Sequence, residues 1–174
     1  MLLATSRLFL RPVSPSDAPA LFEARGDPVV MRYWDWPQME SVRDVEKVIH
    51  AHADELESGR TLWWVVAESP IGPAIGECDL SEIDGHQRRA EVGFLFSRAH
   101  WGRGYAAESM NAVVAHAFAA LGLERLWARC HAGNTSSVRL LERLGFQYEG
   151  NLRGHVVRDG ERRDCLIYGR LREL

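Results

Sequence analysis

The chain has few cysteines: Cys78, Cys130 and Cys165 are the three in 174 residues, and no two form a C-x-x-C pair. An odd, scattered set is a poor disulfide framework, so a reducing compartment, the cytoplasm, is expected. The seven histidines show no H-E-x-x-H or comparable ligand spacing, so no metal is expected. A basic excess is also missing. The 21 Lys+Arg, mostly arginine and dispersed, stand against 24 Asp+Glu for a net charge of −3. Such a surface offers no global field to draw nucleic acid. No run approaches about 18 uninterrupted apolar residues, which argues against a membrane-spanning helix. The start, MLLATSRLFLRP, interrupts its apolar residues with Arg7 and Arg11 instead of building an h-region, so no signal peptide is expected. Repeats, low-complexity stretches and Pro/Gly/Ser-rich linkers are lacking too. The length suits one domain, residues 1–174.

What is present alternates between two periodicities. SRLFLRPV reads as a strand ending at Pro12, and Ser16 is placed to cap a helix over 16–25. DPVVMRYWDWPQ reads as an aromatic loop with one helical turn. Ser41 and Asp44 resemble a capping box opening a helix over 41–58, which Gly59 ends. TLWWVVAE, AIGECDLSEI and RAEVGFLF follow as strands, and of the adjacent Trp63 and Trp64 one is expected in the core. In 105–121, Ala106, Met110, Val113, Val114, Ala117 and Leu121 recur at spacings of three and four, a buried helical stripe. LWARCHA is a strand, 136–144 a short helix stopped by Gly145, and FQYEGNLRG and CLIYGRL a hairpin turned at Asp159-Gly160. The mixture implies an α+β fold, with parallel pairing around the late β-α-β unit.

Between RAEVGFLF and the long helix lies WGRGYAAES, residues 101–109. Gly102 and Gly104 open a helix whose first N–H groups lack partners and carry partial positive charge, a combination suited to phosphate. A plain glycine turn is the alternative. A P-loop needs G-x-x-x-x-G-K-[ST], and no lysine follows here. A dinucleotide fingerprint needs a third glycine where this chain has Ala107.

EVGFLFSRAHWGRGYAAES taken with NTSSVRLLERLGFQYEG resembles the acetyl-CoA-dependent N-acetyltransferase (GNAT) superfamily, and within it the ribosomal-protein N-terminal acetyltransferases. SRLFLRPVSPSDAPALFEA, MRYWDWPQ and EGNLRGHVVRDGERRDCLIYGRL extend the likeness over nearly the whole chain. Trp101 stands where the superfamily often has Gln or Arg, and this branch commonly has Trp. The resemblance implies a GNAT-like mixed, mostly antiparallel central sheet flanked by helices, with a splayed strand pair for the coenzyme. It implies that Trp101, Gly102, Arg103, Gly104, Tyr105 and Ala106 cradle the coenzyme A pyrophosphate, mainly through backbone N–H groups. The pantetheine arm would pair with the free edge of the strand that ends in Leu95 and Phe96. Asn134 would touch that arm or cap the next helix. Homodimers are frequent in this branch.

Acetyl transfer to an amine needs a neutral amine, a polarised thioester and a proton for the leaving thiolate. An α-amine with a pKa near 8 costs about 1.4 kcal/mol to deprotonate at pH 7, and a lysine about 4.6 kcal/mol. Ser137 is the candidate acid, with helix capping as the alternative. Glu91 is the candidate base. It shares a strand face with Gly93 and Leu95, and its alternative is an ion pair with Arg88 or Arg129. Glu77 is a rival substrate-side acid, with a solvated strand face as its alternative. Trp34, Asp35 and Trp36 form a candidate lip for a cationic amine, or else a plug in the core. Cys130 reads as a buried structural thiol rather than a ping-pong nucleophile. The acceptor implied is the α-amine of a protein or peptide. A small amine, such as an amino acid or an antibiotic, and a non-catalytic acyl-CoA-binding module are the alternatives.

Overall fold

In the computed structural model, which describes residues 1–173, one eight-stranded sheet runs in the order β1-β2-β3-β4-β5-β6-β8-β7. Its strands are β1 (Leu3–Ala4), β2 (Phe9–Pro12), β3 (Leu62–Ala67), β4 (Gly76–Asp84), β5 (Arg89–Phe96), β6 (Arg125–His131), β7 (Gln147–Arg158) and β8 (Glu161–Leu171). Every neighbouring pair is antiparallel except β5 and β6, which are joined through helix α5 (Tyr105–Ala119). The remaining helices are α1 (Ala18–Arg25), α2 (Pro28–Met31), α3 (Val42–Ala51), α4 (Ala53–Glu57) and α6 (Thr135–Arg143). The α+β class and the late parallel pair agree with the sequence pattern.

Alternation along the strands divides the interior in two. Leu10, Trp64, Cys78, Leu80, Ala90 and Val92 pack beneath Met110 and Val113 of α5 and Leu141 of α6. On the opposite face Trp63 and Val65 pack under Leu21 of α1 and Val45 and Ile49 of α3. Trp63 and Trp64 are therefore both buried, one on each side, where the sequence suggested a single core tryptophan.

Helix boundaries differ from expectation in several places. α5 ends at Ala119, so Leu121, expected on its buried stripe, lies beyond the helix and is exposed. Ser14, not Ser16, begins the first helical segment: its N–H donates to Asp17 Oδ2 at 2.9 Å, and Arg11 clamps the same carboxylate through two bonds of 2.8 and 2.6 Å. Ser16 lies inside the 3-10 turn Pro15–Asp17. The helix expected over 41–58 breaks at His52, whose ψ is 4° and whose ring Nδ1 bonds the Val48 carbonyl at 2.8 Å. A side chain competing for a helical carbonyl in this way weakens the ladder it joins.

The sheet splits between its two parallel strands. β5 and β6 pair only through Arg89↔Arg125, Ala90↔Leu126 and Glu91↔Trp127. β6 then continues against β8 as far as His131↔Cys165, while residues 92–96 of β5 leave it. The two strands open like a V, and the backbone of β5 past Glu91 keeps a free edge facing the gap.

Candidate active site

The V opens toward the glycine turn. Gly102 and Gly104 have φ of +76° and +78°, and Gly104 is the N-cap of α5. That left-handed region is costly for side-chain-bearing residues, which accounts for both glycines. A Cβ at Gly102 would meet nothing within 4 Å, so the turn is open on its outer side. Trp101 Nε1 donates to the Phe96 carbonyl at 2.8 Å and ties the turn to the end of β5. Behind the turn, the Arg7 guanidinium donates to the Arg103 carbonyl at 3.1 Å and pairs with Glu108 at 2.6 Å. Tyr105 donates to Glu68 at 2.5 Å. The turn faces a groove of ≈ 650 Å³ lined by Leu95, Phe96, Trp101, Gly102, Gly104, Tyr105 and Ala106, with Asn134 and Ser137 on its opposite wall. Arg103 is the exception among the residues assigned to the turn. Its side chain is exposed and not part of the groove wall, because its backbone faces Arg7.

A second cavity, of ≈ 310 Å³, lies on the α1–α4 side of the sheet and reaches into the V. Trp34, Asp35 and Trp36 form one rim, with the two indoles 5.8 Å apart. Asp35 forms an ion pair with Arg129 at 3.0 Å and meets His131 Nε2 at 3.0 Å, so its charge already has partners. Glu91 lines the cavity with no ion pair among the described residues: Arg88 pairs with Glu124, and Arg129 with Asp35. Burial pushes the Glu91 carboxyl up to about 7, against the opposing pull of the Arg129 charge. A carboxyl titrating there can accept a proton from an ammonium near neutral pH.

Glu77 requires a correction. It is 3% exposed and lies outside both cavities, neither on a solvated face nor on a substrate surface. Arg25 pairs with it at 2.8 Å and Trp63 Nε1 donates to it at 3.1 Å. The acid of β4 that lines the cavity is Asp79, two residues on and on the same strand face, beside Gly93 and Glu91. Burial and the Glu77 charge push Asp79 up to about 6. The signal for it was present in GECDL, where alternation puts two acids on one face.

Ser137 joins the two cavities. It lines both, as do Asn134, Phe94, Tyr33 and Trp34. Asn134 is the N-cap of α6 and accepts the Ser137 N–H at 3.2 Å, which uses its oxygen for capping. The Ser137 hydroxyl itself takes no part in that cap. Cys130 lines the second cavity, but burial pushes its thiol up to about 11, which leaves almost no thiolate to act as a nucleophile. Tyr33 of this junction and His131, which lines the second cavity but not the first, carried no local sequence signal.

Residues 7–147 match the Acetyltransferase (GNAT) domain family. The chain belongs to the GNAT acetyltransferase family. It is similar to YoaA of Bacillus subtilis strain 168, described as an uncharacterized N-acetyltransferase, at 34% identity over 167 residues covering 96% of this chain and 94% of that one. Among solved structures, the acetyltransferase superposes on RimL, a ribosomal L7/L12 alpha-N-protein acetyltransferase in complex with coenzyme A. The TM-score is 0.89 at 20% identity, covering 98% of both chains. It also superposes on a spermidine N-acetyltransferase from Vibrio cholerae in complex with coenzyme A and spermine, with a TM-score of 0.84 at 25% identity and 96% of both chains covered. Among the described residues no helix is long and apolar enough to cross a membrane.

Proposed function

We propose that the acetyltransferase moves an acetyl group from acetyl-CoA directly to the α-amine of a protein or peptide, without an acyl-enzyme. The observation that carries this reading is the meeting of two cavities at Ser137: one under a helix N-terminus and along a free strand edge, the other holding carboxyls. The first suits a pyrophosphate at the turn 102–106 and an extended amide chain along β5. The second suits an amine. Acetyl-CoA, when bound, supplies the acyl thioester.

The residues of the chain then divide the remaining work. The turn's N–H groups hold the phosphates, and the edge of β5 past Glu91 orients the arm. Glu91 takes a proton from the incoming ammonium, with its carboxyl near 7 matched to an α-amine near 8. As the tetrahedral adduct collapses, Ser137 gives its hydroxyl proton to the departing sulfur and takes one back from the N–H2+ of the adduct, which leaves a neutral amide, a thiol and the serine restored. Trp34, Asp35 and Trp36 hold the acceptor at the rim, where an N-terminus can enter with the rest of its chain outside. The acceptor's roughly 3 kcal/mol advantage in deprotonation over a lysine side chain favours an α-amine. We place this single-domain enzyme in the cytoplasm, a compartment that suits its three free thiols, and as a homodimer in keeping with its family resemblance.

A small polyamine is a second reading, favoured by Asp79 deep in the cavity and by the spermidine-acetylating relative. Peptides with a free N-terminus, N-terminally blocked lysine peptides and spermidine, assayed side by side with acetyl-CoA, separate the readings. The difference in deprotonation cost leads us to expect a preference for the free N-terminus of roughly tenfold or more. Equal use of blocked lysine peptides, or preference for spermidine, overturns the peptide reading.

A further inference from the structure

Gly93 sits in the middle of β5, where a glycine weakens a strand unless something needs the space. The space is taken. Asp79 is its partner across the β4–β5 ladder, and a Cβ on Gly93 would lie 2.3 Å from Asp79 Oδ1. The missing side chain lets the Asp79 carboxylate lie over β5. On the same face Ser81 pairs with Glu91, which makes Asp79 and Glu91 diagonal neighbours, a relation that spans about 7–8 Å in antiparallel sheets. Asp79, Ser81, Glu91 and Gly93 all line the acceptor cavity. Neither carboxylate has an ion-pair partner of its own among the described residues.

We propose that Asp79 is a positioning residue for acetyl transfer: brought over β5 by the bare Gly93, its carboxylate lies diagonal to Glu91 and helps that residue draw a proton from the incoming ammonium. The assignment rests on the reading of Glu91 as the proton acceptor. In the step itself an N–H bond of the ammonium breaks and an O–H bond forms on Glu91. The amine keeps its electron pair, and Asp79 stays ionised throughout. Burial is the first cause of the raised Glu91 carboxyl, Arg129 opposes it, and Glu82, Asp79 and Asp35 add to the raise.

The charged groups around the pair fix the direction of the effect. Glu91 faces Arg129 on β6, Asp35 in the loop after α2, and Glu82 and Asp79 on β4. Asp79 faces Glu77 on its own strand, Arg25 on α1 and His52 between α3 and α4. Arg25 is committed to Glu77, and Arg129 to Asp35. Of the negative groups around Glu91, Asp79 is the one that a strand glycine accommodates.

The test is the pH dependence of kcat/KM for a free-N-terminus peptide in wild type, Asp79→Asn and Gly93→Ala. The acid limb reports Glu91. Asp79→Asn is expected to move it to lower pH. Gly93→Ala keeps the carboxylate but displaces it, and is expected to move the limb the same way by less. An unmoved limb with a raised KM would make Asp79 an acceptor-binding group and overturn the proposal. Carboxyl-carbon NMR titration of the free enzyme gives the same answer without any acceptor. The Glu91 resonance, assigned by its loss in Glu91→Gln, is expected to show a second inflection from Asp79 in the wild type. A single inflection overturns the coupling even if both variants fail to fold. Failure of every peptide to react, with the two inflections present, would count against the acceptor reading and not against the pair.

Discussion

Replacing Gly104 by aspartate separates the fold of the glycine turn from its chemistry. The residue has φ +78°, and an added Cβ would find only Arg7 Nη2, at 3.5 Å. Left-handed backbone costs a side-chain-bearing residue about 1–2 kcal/mol, and aspartate tolerates it better than most. That is small against a domain stability of about 5–15 kcal/mol, so the variant is expected to fold. For coenzyme the effect is larger. A helix start favours an anion by about 0.3–1 kcal/mol, up to about 2 in partly buried geometry. The introduced carboxylate would cancel that preference and repel the phosphates from the space it occupies. A combined loss of about 2–4 kcal/mol corresponds to roughly 30- to 1000-fold in Kd. Gly104→Ala carries the same backbone strain without charge and is expected to lose about tenfold or less. Calorimetric titration with coenzyme A measures both, and acetyl-pantetheine, which lacks the pyrophosphate, serves as the control whose affinity should hold. A folded Gly104→Asp protein with unchanged affinity for coenzyme A would refute the phosphate role of the turn.

The buried acids give two further expected outcomes. Glu77→Gln strands Arg25 without its partner in the interior and is expected to cost about 3–5 kcal/mol, read by denaturant unfolding. Glu91→Gln should do the reverse at pH 8. The folded carboxyl sits near 7, above its ordinary 4.5, so between those values the native state binds more protons than the unfolded chain and stability falls as pH rises. The variant escapes that loss by at most about 3 kcal/mol, less whatever cavity water screens, and its advantage should vanish below about pH 4. An unfolding series at about pH 4 and pH 8 in which the variant shows no pH-dependent gain contradicts the raised carboxyl.

The parts legible in the sequence are those written in local spacing. RAEVGFLF spans the same residues as β5, the stripe from Ala106 lies within α5 as far as Ala117 while its last member, Leu121, falls beyond the helix and is exposed, and the paired glycines open that helix. The candidate coenzyme residues of the turn and of β5 lie together in sequence, and all but Arg103 face one groove. Pairing partners are not local, and there the sequence misleads. Glu77 and Asp79 look alike on β4, and which one turns inward is decided by Arg25, 52 residues from Glu77 in the chain. The His52 break depends on an imidazole folding back on Val48. Nothing in RAEVGFLF says that Gly93 makes room for an acid on the next strand. The V between β5 and β6 arises because β6 follows β8 from the end of the chain, a pairing that no local pattern encodes.

The central claim is that transfer happens where the two cavities meet, with Ser137 supplying the proton for the leaving sulfur. The measurement is single-turnover kcat for Ser137→Ala with saturating acetyl-CoA and peptide, alongside the Kd for acetyl-CoA. The hydroxyl acts as the thiolate forms, so its contribution belongs to the transition state and not to ground-state binding. The expected result is a fall in the chemical rate of about a hundredfold or more with Kd changed by less than about threefold. A folded variant with a wild-type chemical rate, and at most about 1 kcal/mol lost in stability, would make Ser137 a helix-start residue and contradict the claim.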